Sequence, residues 1–250
     1  MPSIKFFLGK GSLDPRKKSV LFIHGSGGSH YTWDLQSSLE NEFNIIAIDL
    51  PGHGESKGEG LKTVEEFSNA LHQLIHQEFS NYLPLILVGH SLGGAIVQQY
   101  SLKHPQDLLG IVLVGTGAKL RVMDQILDNL LDDFEEIVNL IAQYAFHKET
   151  DPRIIQKSID QLLECPPNIM LQDFKACNEF NLFTEIKNIS VPTLIICGTN
   201  DLLTPPKYSK YLHENIANSK LVEIPDAGHM VMLEQVQPFN QALKSFIREL

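Results

Sequence analysis

Cysteine is scarce in this chain: three residues in 250, at positions 165, 177 and 197, odd in number and without C-x-x-C spacing. A disulfide framework needs paired cysteines and a zinc knuckle needs close spacing, so the expectation is reduced, packed thiols and no metal. Basic residues are also few, 20 Lys and Arg against 30 Asp and Glu, for a formal net charge of −10. Binding to a phosphate backbone concentrates lysine and arginine, which removes nucleic acid from the expected partners. Long apolar runs are missing, none reaching the roughly 18 to 20 residues that cross a bilayer. The opening Met1-Pro2-Ser3-Ile4-Lys5-Phe6-Phe7 has no continuous apolar stretch before a small-residue cleavage site, so no secretory signal is expected. Together these absences predict a cytoplasmic protein with no membrane partner. Internal repeats and low-complexity tracts are absent as well.

What is present is the makeup of a globular domain, 43% hydrophobic and 20% charged, on a chain long enough for one large core. Short β-branched runs alternate with helical patterns, which predicts βαβ units around a mainly parallel sheet flanked by helices. Strands are expected at Ser19–His24, Asn44–Asp49, Leu85–Gly89, Ile111–Gly115, Thr193–Gly198 and Leu221–Ile224, with Ser3–Leu8 a weaker edge candidate. Most are continuously apolar, as strands covered on both faces should be. Helices are expected from Thr63 to about Tyr82, over Leu92–Lys103, after Thr204-Pro205-Pro206 read as cap plus first-turn proline, and from Glu234 to Arg248. Between Lys119 and Lys187 the rhythm breaks into helical patterning alone. Ile126, Leu130, Phe134, Ile137, Val138 and Ile141 make an apolar stripe there, Asp151-Pro152 opens a further helix and Pro166-Pro167 ends it. The expected division is therefore a core of residues 1–118 and 188–250, with residues 119–187 as a helical cap.

The strongest chemical signal is Gly89-His90-Ser91-Leu92-Gly93-Gly94, directly after the apolar strand Leu85–Val88 and before a helix-forming segment. A nucleophilic serine in such a position occupies a tight, strained turn, which requires small neighbours on both sides. Ser91 then sits at a helix N-terminus, where unpaired N–H groups favour developing negative charge. A serine hydroxyl is inert near neutrality without a base. Of the ten histidines, His229 lies just past the last strand, where a side chain can reach back over the sheet. His90, inside the turn, reads as a brace. The acid that orients the base is expected at Asp201, at the end of Thr193–Gly198. Asp226 is nearer in sequence but suits its own turn. An oxyanion needs two backbone donors: Leu92 N–H by position, and Ser26 N–H from His24-Gly25-Ser26-Gly27-Gly28, with Gly27 the nearest rival.

His24-Gly25, the run Asp49-Leu50-Pro51-Gly52-His53-Gly54-Glu55-Ser56, the Ser91 turn, Gly198-Thr199-Asn200-Asp201 and Gly228-His229 resemble the α/β-hydrolase superfamily, most closely small prokaryotic serine carboxylesterases. The resemblance covers residues 19 to 250 outside the helical stretch. It implies an α/β-hydrolase fold with a helical lid after the sixth strand, although the N-terminus is shorter than the family's eight-stranded start. Residues 49 to 56 match a turn that is mostly structural in the family and receive no catalytic role. The implied activity is hydrolysis of small acyl esters through an acyl-enzyme, short to medium acyl chains included, without cofactor. Serine rather than aspartate at position 91 disfavours dehalogenase and epoxide hydrolase chemistry. Thioester, lactone or carbon–carbon bond hydrolysis, and a non-catalytic ligand receptor, remain as alternatives. Met123, Phe134, Tyr144, Phe146, Phe174 and Phe180 are candidates to line the acyl pocket.

Overall fold

The structure, a computed structural model, describes residues 4–250. Continuously apolar strands need cover on both faces, and the chain meets that need with one seven-stranded sheet between two layers of helices. Its strands are β1 (Lys5–Leu8), β2 (Ser19–Ile23), β3 (Asn44–Asp49), β4 (Leu85–His90), β5 (Leu108–Val114), β6 (Thr193–Gly198) and β7 (Ser219–Ile224). They run in the order β1-β3-β2-β4-β5-β6-β7, with β1 antiparallel to β3 and every other pair parallel. Ser3, expected in the first strand, lies outside the described residues.

Alternation along each strand feeds two cores. Leu21, Ile23 and Leu87 pack with Phe67, Leu71 and Tyr100 on one face. Val20, Phe22, Ile86 and Val88 pack with Trp33, Phe239 and Leu243 on the other. Each such buried aliphatic or aromatic side chain stabilises the fold by about 1.5–3 kcal/mol.

Helix α1 (Val64–Glu78) begins at a capping box: the Thr63 side chain accepts from Glu66 N–H while the Glu66 carboxylate accepts from Thr63 N–H. Helix α2 (Leu92–Lys103) follows β4 directly. Four helices then separate β5 from β6: α3 (Asp124–Asn129), α4 (Phe134–Ala145), α5 (Pro152–Leu163) and α6 (Pro167–Glu179). The insertion thus leaves the sheet after the fifth strand. The expected position after a sixth strand fails because the sheet has seven strands, one fewer at the N-terminal side than the family's eight. The remaining helices are α7 (Pro206–Asn215), α8 (Val231–Glu234) and α9 (Val236–Glu249). No helix among the described residues is long and apolar enough to cross a membrane.

Several boundaries differ from expectation for local reasons. The first long helix ends at Glu78, and Ser80–Tyr82 forms a separate 3-10 turn. A 3-10 segment at His30–Leu39 was not anticipated, because its polar positions mask the burial of Trp33 and Leu39. The Pro166-Pro167 pair does more than end a helix, since Pro167 opens α6, where a missing N–H costs nothing. The closing helix is broken at Gln235 into α8 and α9.

Candidate active site

In a parallel sheet, the loops at the carboxyl ends of the strands converge on one edge, and all five expected site residues lie there. Ser91 follows β4 with φ 52° and ψ −113°, a left-handed strained conformation for a non-glycine residue. The turn can close only because of its glycines: a Cβ on Gly89 would lie 2.2 Å from the Gly93 carbonyl oxygen, and one on Gly93 would lie 2.3 Å from the Ile23 carbonyl oxygen. Backbone bonds hold the strain in place. Ser91 N–H donates to Val114 O at 2.9 Å, and Thr116 Oγ1 donates to Ser91 O at 2.9 Å. The Ser91 side chain caps nothing in α2.

His229 and Asp201 meet from the ends of β7 and β6. His229 Nδ1 donates to Asp201 Oδ2 at 2.9 Å, and both side chains are buried. Asp201 accepts three further bonds, from Leu203 N–H and Thr204 N–H on Oδ1 and from the Thr204 hydroxyl on Oδ2 at 2.7 Å. Burial alone would raise the Asp201 carboxyl; the neighbouring His229 and the bonds from His229 and Thr204 outweigh it and hold the group below the ordinary carboxylate range. With Nδ1 committed to the carboxylate, the His229 Nε2 lone pair is the one left for a proton. Among the described residues the Ser91 hydroxyl makes no direct hydrogen bond to this ring, a contact that hydrolases often tighten only when substrate is bound.

Thr204 is a residue that sequence reasoning missed. The sequence places it as the cap of α7, but that helix starts at Pro206, and the Thr204 side chain turns inward to Asp201 and lies 3.1 Å from His229 Nδ1. The signal was available: an aspartate often gathers the N–H groups two and three residues onward. Asp226, the rival acid, is exposed in a left-handed turn (φ 53°). His90 Nε2 donates to the His229 carbonyl at 3.1 Å, bracing the loop that carries His229. The same loop is tied to the insertion, since His229 N–H donates to Ala145 O at 2.6 Å and Glu234 accepts from Gly228 N–H, His147 N–H and the Thr150 hydroxyl.

The loop after β2 separates the two oxyanion candidates. Gly27 N–H is consumed by Asp173 Oδ2 at 2.9 Å, whereas the N–H groups of Ser26 and Leu92 have no acceptor among the described residues. His24, also missed, shapes this loop: Nδ1 donates to Gly25 O and Nε2 accepts from Leu50 N–H. Burial keeps its ring well below the usual histidine range, and so neutral. Beneath the loop, Asp173 Oδ2 also accepts from His53 Nε2 at 2.8 Å. The turn at residues 49 to 56 is internally bonded: Asp49 accepts from His30 and Glu55 N–H, and Ser56 Oγ donates to Asp49 O.

Ser91, Ser26 and His229 together border two clefts. One lies between the sheet edge and the insertion, against Ile141, Ala145, Phe146, Leu162, Phe174 and Leu233, and spans about 740 Å³ together with the solvent at its open mouth. The second lies against Leu120, Met123, Ile126, Tyr144, Cys177 and Leu202 and spans about 700 Å³ on the same terms. Of the six proposed lining residues, Met123, Tyr144, Phe146 and Phe174 border a cleft, and Phe174 borders both. Phe134 and Phe180 pack into cores instead. The three cysteines are free and buried, and burial pushes the Cys177 thiol up to about 12, so it stays protonated beside Ser26.

This combination of sheet order, strained serine turn and strand-end loops is that of an α/β hydrolase. The chain belongs to that family: the model described as "Alpha/beta hydrolase family" matches residues 20–242. Among solved structures it is similar to a thermophilic esterase, at 34% identity and a TM-score of 0.85, covering 99% of this chain and 98% of that one. A pimeloyl-[acyl-carrier protein] methyl ester esterase of Neisseria meningitidis is 24% identical over 251 residues, 94% of this chain and 96% of that protein. A putative 2-succinyl-6-hydroxy-2,4-cyclohexadiene-1-carboxylate synthase of Haemophilus influenzae is 29% identical, over 92% of this chain and 97% of its own.

Proposed function

We propose that the chain is a serine carboxylesterase in which Ser91 is the nucleophile, His229 the base and Asp201 the residue that orients it. The observation carrying this reading is the buried His229–Asp201 pair, which spends Nδ1 on the carboxylate at the border of the clefts that Ser91 also lines. In the mechanism this supports, His229 takes the Ser91 proton as Oγ bonds to the ester carbonyl carbon. The carbonyl oxygen becomes an oxyanion against the Ser26 and Leu92 amides. Collapse breaks the bond to the alkoxy oxygen, which leaves as the alcohol with the proton from His229. Water, deprotonated by the same imidazole, then cleaves the acyl-enzyme and regenerates Ser91.

Two apolar clefts meeting at one serine suit an ester, which has an acyl group and an alcohol group to place on opposite sides of the reacting carbon. Their size favours short to medium chains. Residues 119–187 act as a cap that supplies part of the wall of both, Ile141 and Phe174 bordering each. The relative named as a methyl ester esterase is consistent with an ester as substrate class. A panel of p-nitrophenyl esters of increasing acyl length, alongside acyl thioesters and lactones, tests the reading. Turnover of esters, with fluorophosphonate labelling lost in Ser91→Ala, is the expected result. A folded protein that hydrolyses no ester and takes no label at Ser91 overturns it.

A further inference from the structure

On the outer side of the α1–α2 layer, away from both clefts, three histidines and an aspartate gather with no part in the proposed chemistry. His72 and His76 stand one turn apart on α1, His104 terminates α2, and Asp107 sits in the 3-10 turn that follows. Residues four apart on a helix project to the same side, the usual way of aiming two imidazoles at one point. One nitrogen or oxygen from each of His72, His104 and Asp107 lies within 4.8 Å of the others. His76 Nε2 is 3.0 Å from Asp107 Oδ2 and His72 Nδ1 is 3.4 Å from it.

We propose that His72, His76, His104 and Asp107 form a binding site for one first-row divalent transition metal ion, Zn²⁺ or a close relative, that clamps the C-terminal end of α2 to α1. The donor set decides the class of ion. Imidazoles suit zinc, nickel, cobalt and copper, whereas magnesium and calcium take oxygen ligands. Support for the ligands is already built: the hydroxyl of the fully buried Tyr100 donates to Asp107 Oδ2 at 2.7 Å, the outer bond that orients a coordinating carboxylate. All these contacts fall on Oδ2, the carboxylate oxygen nearest the imidazoles, and Oδ1 accepts no hydrogen bond among the described residues.

The ligands are not yet in coordinating positions. The His72 and His104 rings stack with centroids 3.8 Å apart and planes 8° from parallel, so their in-plane lone pairs cannot meet at one point. Coordination requires the His72 ring to turn about its side-chain bonds. It has room, because its side chain is 32% exposed and that of His76 is 43% exposed. The turn also draws the donor atoms from 4.8 Å toward the roughly 3.3 Å separations of a tetrahedral site with metal–nitrogen bonds near 2.0 Å.

The test is calorimetric titration of untagged, chelator-treated protein with Zn²⁺. One ion per chain is expected, with a dissociation constant of about 1 μM or tighter. The double variant His72→Ala/His104→Ala should weaken binding at least 10-fold, and Tyr100→Phe about 10-fold. Because none of these residues borders a cleft, the double variant should keep its circular dichroism spectrum and whatever ester turnover the parent shows. As a second measurement, saturating Zn²⁺ should raise the melting temperature of the parent and not of the double variant, since an ion bound only by the native state stabilises it. Absence of one-to-one binding overturns the proposal. So does binding that the double variant retains at full strength.

Discussion

Two buried histidine–aspartate pairs, almost equal in length, differ in what the second ring nitrogen does. His229–Asp201 spans 2.9 Å and His53–Asp173 spans 2.8 Å. His53 donates from Nε2 to Asp173 and from Nδ1 to the Pro51 carbonyl at 3.1 Å, so both nitrogens carry protons to fixed acceptors. Burial opposes that charge, but the Asp173 carboxylate and the nearby Cys165 thiol outweigh it and hold His53 well above the ordinary histidine range. His229 has only one acceptor-bound nitrogen, and the residue borders a cleft. The same two side chains therefore leave no ring nitrogen without an acceptor in one place and one such nitrogen in the other.

The comparison can be broken at several points. If the open pair serves a hydroxyl, Ser91→Ala lowers kcat by about 10⁴ to 10⁶ with the fold intact, measured on the best ester of the panel. Asp201→Asn should cost about 10⁴ in kcat, because an amide can donate to Nδ1 and stabilise the wrong tautomer. Its urea midpoint should move much less than that of Asp173→Ala. The latter removes the acceptor of both His53 Nε2 and Gly27 N–H in a site from which the His53 and Asp173 side chains are excluded from water, and should cost about 3–5 kcal/mol in urea unfolding.

The two pairs should also fail at opposite ends of the pH scale. His53 is raised in the folded state, so its contribution is complete below the unfolded value of about 6.5 and is lost as pH rises through the native value. Asp201 is lowered, so its contribution is present above the unfolded carboxylate value of about 3.9 and is lost as pH falls through the native one. Urea midpoints of the parent and Asp173→Ala across pH should therefore converge on the alkaline side. Convergence in acid alone would reverse the assignment of the fixed cation. The smallest effect is Thr204→Val, which removes one hydroxyl bond to Asp201 and should lower kcat about tenfold.

Local chemistry was legible in the sequence, and long-range chemistry was not. Gly89 to Gly94 announces its own turn, since the demand on Gly89 comes from Gly93 and Gly94, four and five residues on. The apolar runs at β2, β4, β5 and β6 declare a sheet covered on both faces. Asp201 and His229 could be placed at strand ends because the alternating pattern locates those ends. Asp173 could not be singled out: it is one acid in a helix, 120 residues from His53 and 146 from Gly27, and such a position usually means solvent. His24 and Thr204 were hidden for a related reason, because each reads locally as a loop or cap residue while its partner is set by packing.

The stitches between insertion and sheet edge limit how anything can enter. Ala145 holds the His229 loop and Asp173 holds the Gly27 loop, so swinging the four helices away in one piece would pull apart the groups it uncovered. Traffic is left with the rim, where Met123, Tyr144 and Leu202 border a cleft and yet stand 36%, 38% and 61% exposed. Rotamers at such exposed positions exchange in picoseconds to nanoseconds, so the rim can change shape without any hinge movement of the four helices.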